Sequence, residues 1–342
     1  MSAPQALQKR SLNKPGNSQI AICVNPMAGR DVRRLAARAS TVTHEAKMDC
    51  VARIAAGADA MGVDEIFIVR EPFRIAERAV EWMRLNANVK LLNIELTHDL
   101  SDTARAIDAF RAHGVDHVVA LGGDGTHRVI VKTDPEIYLV PLSTGTNNVF
   151  PLTVEATIAG EVAALGAKGL LPRDRMCRRA KVAKLSIDNC VQDIGLIDVV
   201  RIENDFVGNY RPFDPLKLRE MVLTRAEPDA IGMSPIGGLM EPVSADDDCG
   251  LYVKFGAGHK RRVPVSPGYF RDVHISKTKK LAFGHSCELE SNGLIAIDGD
   301  RLHRIEDGQR VSVNINRDGP HVYDVSASMR FAAENGLCER VA

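Results

Sequence analysis

The chain has 342 residues, 45% of them hydrophobic, and its 44 lysines and arginines balance its 44 aspartates and glutamates. This length allows two domains with a large buried core. The balanced charge argues against a protein whose main partner is nucleic acid or a membrane surface. The seven cysteines include no Cys-x-x-Cys pair, which favours reduced thiols over a disulfide framework or a zinc site.

The ends of the chain and its hydropathy indicate where the protein is found. No continuous apolar segment is long enough to span a membrane, and residues 1–19 lack the apolar core of a signal peptide. We therefore expect a cytoplasmic protein whose first 19 residues form a solvated tail.

The first half of the chain alternates apolar strands with helical segments, which predicts a doubly wound, mostly parallel sheet. The predicted strands cover residues 20–24, 65–69, 91–96, 117–121 and 138–142. The predicted helices cover residues 32–40, 73–85, a segment ending at 113, then 127–132 and 153–169. Ligands of such sheets bind at the carboxyl ends of the strands.

After residue 170 the pattern changes to short strands separated by Asn-Gly, Asp-Gly and Pro-Gly turns, which predicts an antiparallel β-sandwich. These strands cover residues 181–187, 195–202, 250–255, 261–265, 271–276, 287–290, 294–297 and 311–315, with one helix over 215–225. We therefore predict an α/β nucleotide-binding domain over residues 20–170, completed by residues 322–342, and a β-sandwich domain over residues 171–321.

A glycine-rich turn follows the strand over residues 117–121. It consists of Gly122, Gly123, Asp124, Gly125 and Thr126. The glycines can adopt positive φ and leave bare amides for an anion, and Thr126 is placed to cap the next helix, so amides and helix dipole would both face a phosphate. A carboxylate at an anion site would repel the anion unless it binds a metal ion or takes a proton from a nucleophile. The alternative is an ordinary Asp-Gly turn.

Two further polar loops follow predicted strands, so we expect all three loops to meet at one edge of the sheet. Residues 25–30 read Asn-Pro-Met-Ala-Gly-Arg, and residues 143–148 read Ser-Thr-Gly-Thr-Asn-Asn. Hydroxyl and amide groups can donate to phosphates or bind ribose hydroxyls. Taken alone, each loop is equally typical of ordinary turn chemistry. Arg30, Arg33 and Arg34 fit a phosphate clamp, but a solvated helix face explains them more simply.

Several well-known catalytic motifs are missing from the sequence. There is no G-x-x-x-x-G-K-[ST], no G-x-G-x-x-G after the first strand and no G-x-S-x-G. P-loop NTPases, dinucleotide dehydrogenases and α/β hydrolases are therefore disfavoured. The histidines show no metal-ligand spacing, so no metal site is assigned, and His127 is interpreted as a packing residue.

The three loops resemble the motifs of the superfamily of NAD kinases and diacylglycerol kinases. Those motifs are GGDGT after a buried strand, an Asn-Pro-x-[SA]-Gly turn and a [GS]-T-G-[TS]-N-[ND] loop. The segments PLSTGTNNVFP and DGDRLHRIEDGQRV are most similar to the acetoin catabolism protein X group of ATP-NAD-kinase-like proteins. The resemblance extends from about residue 20 to the C-terminus. It implies an α/β domain followed by an all-β domain, with ATP and Mg²⁺ as cofactors.

The resemblance also implies roles for individual residues. The aspartate of GGDGT is essential for phosphoryl transfer in the superfamily, which implies that Asp124 is catalytic. Nucleotide or phosphate binding is implied for the loop residues Asn25, Gly29, Gly122, Gly123, Gly125, Thr126, Thr144, Gly145, Thr146 and Asn147.

The acceptor side departs from the NAD kinase pattern. NAD kinases carry an Asn-Glu pair where this chain has Ile197 and Asp198, and T-P-T-G-S-T-A-Y where it has S-P-I-G-G-L-M over residues 234–240. We expect Asp198, Ser234 and Gly237 at an acceptor pocket that has lost polar groups. A missing donor in such a pocket weakens discrimination for a polar substrate.

These observations favour a kinase that transfers the γ-phosphoryl of ATP to a hydroxyl, namely the adenosine ribose 2′-OH of NAD(H), with a link to acetoin catabolism. One alternative is a kinase of a lipid, sphingoid or small polyol. Another is a nucleotide-binding regulatory protein without turnover. The expected partners are a nucleotide, a small-molecule substrate and, because sandwich edges are exposed, a second copy of the chain in a homo-oligomer. Nucleic acid and membrane are not expected.

Overall fold

The fold is described from a computed structural model, which describes residues 17–30, 41–145, 148–209 and 213–339. The helix predicted over residues 32–40 lies outside these ranges. The helices are α1 (His44–Ala60), α2 (Ile75–Val80), α3 (Ser101–Ala112), α4 (Asp124–Thr133), α5 (Ala156–Ala167), α6 (Arg173–Met176), α7 (Ser234–Gly238) and α8 (Val325–Glu334).

The strands fall into three sheets. In chain order they are β1 (Gln19–Val24), β2 (Glu65–Val69), β3 (Asn88–Leu92), β4 (His117–Gly122), β5 (Tyr138–Ser143), β6 (Cys177–Arg179), β7 (Val182–Ile187), β8 (Cys190–Gly195), β9 (Asp198–Ile202), β10 (Leu218–Leu223), β11 (Cys249–Ser266), β12 (Tyr269–Ala282), β13 (Ser286–Leu289), β14 (Gly293–Ile297), β15 (Asp300–Ile305), β16 (Val311–Asn316) and β17 (His321–Tyr323).

The first sheet has seven strands in the order β3-β2-β1-β4-β5-β17-β6. All neighbours are parallel except β17 and β6. Because β17 pairs with β5, residues near the C-terminus complete the sheet of the N-terminal domain. The parallel order reverses at β1 and β4, where the strand order places a ligand crevice.

Helices cover both faces of this sheet, which confirms the predicted doubly wound arrangement. Ile20 and Ile22 of β1 point into a core with α1 and α5, and Ala21 and Cys23 point into a second core with α3 and α4. Strands buried on both faces lack an alternating pattern and appear as continuous apolar runs. The same reason explains why the sequence located β1, β2, β4 and β5 correctly.

The C-terminal half is an antiparallel sandwich, as predicted. A six-stranded sheet in the order β12-β11-β10-β9-β14-β15 packs on a four-stranded sheet in the order β13-β16-β7-β8. Leu185 and Val313 from the smaller sheet meet Val199 and Ile297 from the larger one in a shared core. Inward-facing residues of two sheets interdigitate in this way in sandwiches generally.

Several element predictions were wrong in detail. Residues 215–225 form a short 3-10 helix, Pro215–Lys217, followed by strand β10. Among the other differences, α2 is shorter than the predicted helix over 73–85, β3 begins before residue 91, β11 spans two of the predicted strands, and β8 and β15 were not predicted.

The prediction for β10 failed because both of its faces are buried. Met221 and Leu223 point into the core of one face of the large sheet, and Val222 points into the core between the sheets. Arg219 and Glu220 also interrupt its apolar residues, so the segment shows no period-2 alternation and cannot be told from a helix by periodicity.

Among the described residues, no helix is long and apolar enough to cross a bilayer.

The contact between α1 and α5 depends on glycine. A Cβ on Gly160 would clash with the backbone carbonyl oxygen of Ile54, and a Cβ on Gly57 would clash with that of Thr157. We expect Gly160→Ala to lower the free energy of unfolding by roughly 1–3 kcal/mol, because overpacking outweighs the gain in helix propensity. Urea denaturation measures the change. Glu161→Ala on the same helix serves as the control and should change stability by less than about 0.5 kcal/mol. A more stable Gly160→Ala variant would contradict this close packing.

Candidate active site

A cleft of about 560 Å³ lies between the two domains, at the carboxyl ends of β1 and β4. Its walls come from the turn after β1, the start of α4, the loop after β5, the loop over residues 207–209 and the turn between β14 and β15. The three loops identified in the sequence therefore meet in one place. The β-domain contributes the opposite wall.

The glycine-rich turn begins α4 at Asp124, with Gly123 as the N-cap residue. The expectation that Thr126 caps this helix was wrong, because Thr126 lies in the first turn and its hydroxyl accepts a hydrogen bond from Asn25 Nδ2 at 2.8 Å. None of Gly122, Gly123 and Gly125 has positive φ. These glycines serve close packing instead. A Cβ on Gly122 would lie 2.5 Å from Thr126 Cβ.

The turn after β1 is shaped by its own asparagine. Asn25 Oδ1 accepts from the amides of Met27 at 2.9 Å and Ala28 at 3.2 Å. Gly29 has φ 72°, which favours glycine at this position. The Asn25 side chain therefore bonds the turn through its oxygen and α4 through its nitrogen, which holds the two together. The turn itself lines the cleft.

The loop after β5 is described only in part, because Thr146 and Asn147 lie outside the described residues. Gly145 lines the cleft, and a Cβ there would clash with the side chain of Asn148. Thr144 is buried, and its amide donates to the Gly122 carbonyl at 3.0 Å. The start of this loop is thus packed directly on the glycine-rich turn.

Asp124 is held by the loop after β5. Its carboxylate accepts from the amide of Phe150 at 2.9 Å and from the amide of Val149 at 3.2 Å. Burial, together with the nearby carboxylate of Asp298, raises the pKa of Asp124 to about 7, although the two amides act in the opposite direction. A carboxylate with this pKa can exchange a proton near neutral pH.

Asp298, which no sequence motif indicated, faces Asp124 from the turn between β14 and β15. Asp298 has φ 46°, and its carboxylate accepts from the amides of Leu196 and Ile197 at 2.9 and 2.8 Å and from that of Asp198 at 3.1 Å. Aspartate tolerates such a backbone in a turn. Burial raises the pKa of this group. In sequence, the Asp-Gly-Asp run appears only as a hairpin turn, since its partners are about a hundred residues away.

Asp300 and Arg128 join the two walls of the cleft. Arg128, on α4, donates to Asp300 Oδ2 at 3.0 Å and to the Ile297 carbonyl at 2.6 Å. Its side chain is almost fully buried, so this ion pair is poorly screened. No motif predicted this pair, because α4 and the β14–β15 turn are brought together only by the fold.

Asp198 is beside this group but does not line the cleft. It is 5% exposed, and its Oδ1 has no hydrogen-bond partner. Burial and the carboxylates of Asp298 and Asp124 raise its pKa well above the usual range. This environment favours the neutral form of Asp198 over the carboxylate.

Ser234 and Gly237 were expected at the acceptor pocket, but the structure does not bring them to the cleft. Both are buried in α7, which packs on the outer face of the large sheet. Ser234 Oγ donates to the Arg225 carbonyl at 2.9 Å, and a Cβ on Gly237 would lie 2.6 Å from Leu223 Cδ1. Ile197 is also a core residue, at 1% exposure.

His127 packs behind the glycine-rich turn. Its Nδ1 donates to the Gly123 carbonyl at 2.8 Å, and burial lowers the pKa of the imidazole to about 4. A neutral, buried ring with this contact supports the turn, in line with the interpretation from sequence.

The carboxylates do not form a metal cage of their own. Among the described residues, no group of three or more histidine, cysteine, aspartate or glutamate side chains is arranged to hold a metal ion. Mg²⁺, however, is commonly bound through one or two carboxylates together with substrate phosphates. Asp124 and Asp300 both line the cleft and fit that second arrangement.

An apolar pocket of about 340 Å³ adjoins the cleft on the side of β1 and β2. Val24, Ile94 and Ala106 form part of its wall, and Met27 and Leu100 line both the pocket and the cleft. A planar apolar group attached to a phosphate chain could occupy both spaces together.

Comparisons with known proteins agree with this architecture. Residues 20–165 match the ATP-NAD kinase N-terminal domain, and residues 181–318 match the acetoin catabolism protein X C-terminal domain. Acetoin catabolism protein X from Cupriavidus necator is 30% identical over 335 residues, which cover 93% of each chain.

Two solved structures also align along the chain, and the family assignment does not depend on them. A diacylglycerol kinase from Bacillus anthracis str. Sterne matches with a TM-score of 0.42 and 14% identity, over 90% of this chain and 97% of that one. A second structure from the same organism matches with a TM-score of 0.47 and 14% identity, over 90% and 98% of the two chains. On the sequence matches, the chain belongs to the acetoin catabolism protein X family, with an N-terminal domain of the ATP-NAD kinase type.

Proposed function

We propose that the protein transfers the γ-phosphoryl group of ATP to a hydroxyl, and that the preferred acceptor is the adenosine ribose 2′-OH of NAD(H). The observation that carries this proposal is the position of Asp124. Its carboxylate lies in the interdomain cleft at the N-terminus of α4, beside the bare amides of the glycine-rich turn. Few arrangements other than phosphoryl transfer call for an acid group next to an anion site.

The phosphates would bind at the start of α4. Helix N-termini attract anions through their free amides and the helix dipole, and Gly123 and Gly125 allow a close approach. The adjoining apolar pocket suits the base of the nucleotide. Mg²⁺, when bound with the phosphates, would neutralise their charge, with Asp300 as its protein contact.

Asp124 would act on the acceptor. The acceptor hydroxyl gives its proton to the Asp124 carboxylate, its oxygen forms a bond to the γ-phosphorus, and the bond from that phosphorus to the leaving oxygen of ADP breaks. A pKa of about 7 suits this exchange, because the group is partly ionised at neutral pH yet basic enough to take a proton. Arg128, paired with Asp300, fixes the opposite wall.

The choice of NAD(H) rests on the ATP-NAD kinase type of the N-terminal domain. A second candidate acceptor is a lipid or another alcohol with an apolar tail, because the rim of the cleft is apolar. Met27, Leu100 and Val207 line the cleft and are about half exposed, as are Phe73 in the apolar pocket and Phe206 next to Val207. Exposed apolar side chains grouped round a cleft are characteristic of ligand contacts.

Asp124→Asn tests the catalytic role. We expect the variant to lose about 10²- to 10⁴-fold in phosphoryl transfer, since it cannot take a proton, while its affinity for ATP stays nearly unchanged. Transfer of label from γ-labelled ATP measures the first quantity, and calorimetry measures the second. Asp134→Asn is the control, because Asp134 ends the same helix, accepts a backbone amide hydrogen bond and lies outside the cleft. Transfer at the parental rate by Asp124→Asn would refute the assignment.

The raised pKa of Asp124 also predicts a pH-dependent effect on stability without nucleotide. The group ionises near 3.8 in an unfolded chain and near 7 in the folded one, so ionisation destabilises the fold as pH rises from about 4 to about 7. We expect the difference in melting temperature, Asp124→Asn minus parent, to become more positive as the pH rises from 4.5 to 8. A constant difference would show that Asp124 is not strained in this way.

Asp193→Asn gives the opposite trend and serves as the comparison. Burial raises the pKa of Asp193, but hydrogen bonds from His303 and Lys132 outweigh it and lower the pKa overall. Its ionised form therefore stabilises the fold above the unfolded pKa, and that contribution is lost as pH falls. We expect Asp193→Asn to be less stable than the parent at pH 8 and to approach it as the pH is lowered.

A panel of acceptors separates the two candidates. With NAD(H), diacylglycerol and small diols offered alongside labelled ATP, we expect labelled NADP(H) to be the main product. Val207→Ser should then leave the KM for NAD(H) nearly unchanged. If the tailed alcohol is phosphorylated instead, Val207→Ser should raise its KM by roughly tenfold, because a buried valine contributes about 1.5 kcal/mol. Val191→Ser is the control, because Val191 is another exposed valine and lies on β8, outside the cleft. No product from any acceptor would favour a regulatory nucleotide-binding role.

A further inference from the structure

One side chain of the β-domain contacts the peptide that holds Asp124. Arg225 follows β10, and its Nη1 donates to the Val149 carbonyl oxygen at 3.2 Å. Its guanidinium also lies over the ring of Phe150, 5.3 Å from the centroid. These are contacts between domains, since Val149 and Phe150 belong to the loop after β5.

The geometry of one peptide unit links Arg225 to Asp124. The Val149 carbonyl and the Phe150 amide are the two ends of the same peptide bond. Arg225 donates to the carbonyl oxygen of this peptide unit, and the N–H of the same unit donates to Asp124 at 2.9 Å. A cation at the oxygen polarises the unit and strengthens the hydrogen bond that the N–H makes at the other end.

The backbone of Arg225 is fixed on both sides, so the contact is built into the fold. Thr224 donates through its amide to the Ile197 carbonyl at 2.9 Å, and Ala226 exchanges backbone hydrogen bonds with Val243. Ser234 Oγ donates to the Arg225 carbonyl at 2.9 Å and accepts from the amide of Glu227 at 2.9 Å. The buried serine of α7 thus has a function other than substrate contact. It holds the segment that carries Arg225.

The charges around Arg225 are mixed. The carboxylates of Glu227, Asp124 and Asp246 attract the guanidinium, and Arg317 repels it. Lys181 is also close, but its ammonium group is occupied by the carbonyls of Ser244, Asp247 and Cys249. Arg225, unlike Lys181, donates to the loop after β5, at the Val149 carbonyl.

We propose that Arg225 is a positioning residue, which holds the peptide unit between Val149 and Phe150 so that Asp124 keeps its orientation in the cleft. The geometry of Asp124 then depends on contact between the two domains. The catalytic part of this proposal rests on the proposed function, whereas the structural part does not.

The structural part is tested in the full-length protein by amide hydrogen exchange. In Arg225→Gln we expect the Phe150 amide to exchange about tenfold faster or more, because its hydrogen bond to Asp124 weakens. Arg225→Lys keeps the charge but loses the planar fork and the stacking, so it should show a smaller increase. Arg219→Gln is the matched control, since Arg219 lies on β10 and donates to the Leu216 and Leu218 carbonyls away from the cleft. It should leave Phe150 unchanged.

The catalytic part is tested by steady-state kinetics on the same variants. Displacing Asp124 should lower kcat by about 10- to 100-fold in Arg225→Gln and leave the KM for ATP nearly unchanged. Parental exchange of Phe150 in folded Arg225→Gln, or an equal effect of Arg219→Gln, would overturn the proposal. If Arg225→Gln does not fold, Arg225→Lys decides by the same readouts. If the parent transfers no phosphate while Phe150 responds as expected, the proposed function fails and the positioning role stands.

Discussion

The site depends on a buried carboxylate that the fold keeps in an unfavourable place. Asp124 begins α4 between the glycine amides on one side and Asp298 on the other, and two amides of the loop after β5 hold it there. Like charges at close range would separate if the groups were free to move. They stay together because Asp298 is fixed by three amides and because Arg128 ties α4 to the β14–β15 turn. Strain of this kind is a common feature of functional sites.

The sequence was informative where a feature depends on neighbours along the chain. Continuous apolar runs located the strands of the first sheet, and the loops at their carboxyl ends converge as parallel topology requires. The composition of each loop was correctly associated with the cleft, but individual roles were not. Asn25 and Thr126 bind each other, so the side chains expected at a phosphate instead join two loops. A motif identifies a place in the fold, and the hydrogen-bond partners of its side chains are set by the folded structure.

Features that depend on distant contacts could not be predicted. Asp298 and Asp300 resemble any hairpin turn until the fold brings them to α4, and Arg225 stands in the sequence next to an apolar strand without a motif. Ser234 was placed at a substrate pocket by analogy with a segment of NAD kinases, yet it is buried and binds the backbone of Arg225. The same analogy aligned Ile197 with a polar residue of NAD kinases, and its side chain fills the core. The two segments that align with acceptor motifs of NAD kinases therefore lie outside the cleft of this chain.

In the proposed reaction, the start of α4 receives the phosphates of ATP with Asp124 beside them. A crystal structure of the protein with a non-hydrolysable ATP analogue and Mg²⁺ tests this most directly. We expect the β- and γ-phosphates at the amides of Gly123 and Gly125, the γ-phosphate facing Asp124, and the base in the apolar pocket beside β1. Phosphates bound elsewhere on the protein, or turned away from Asp124 with the cleft empty, would contradict it.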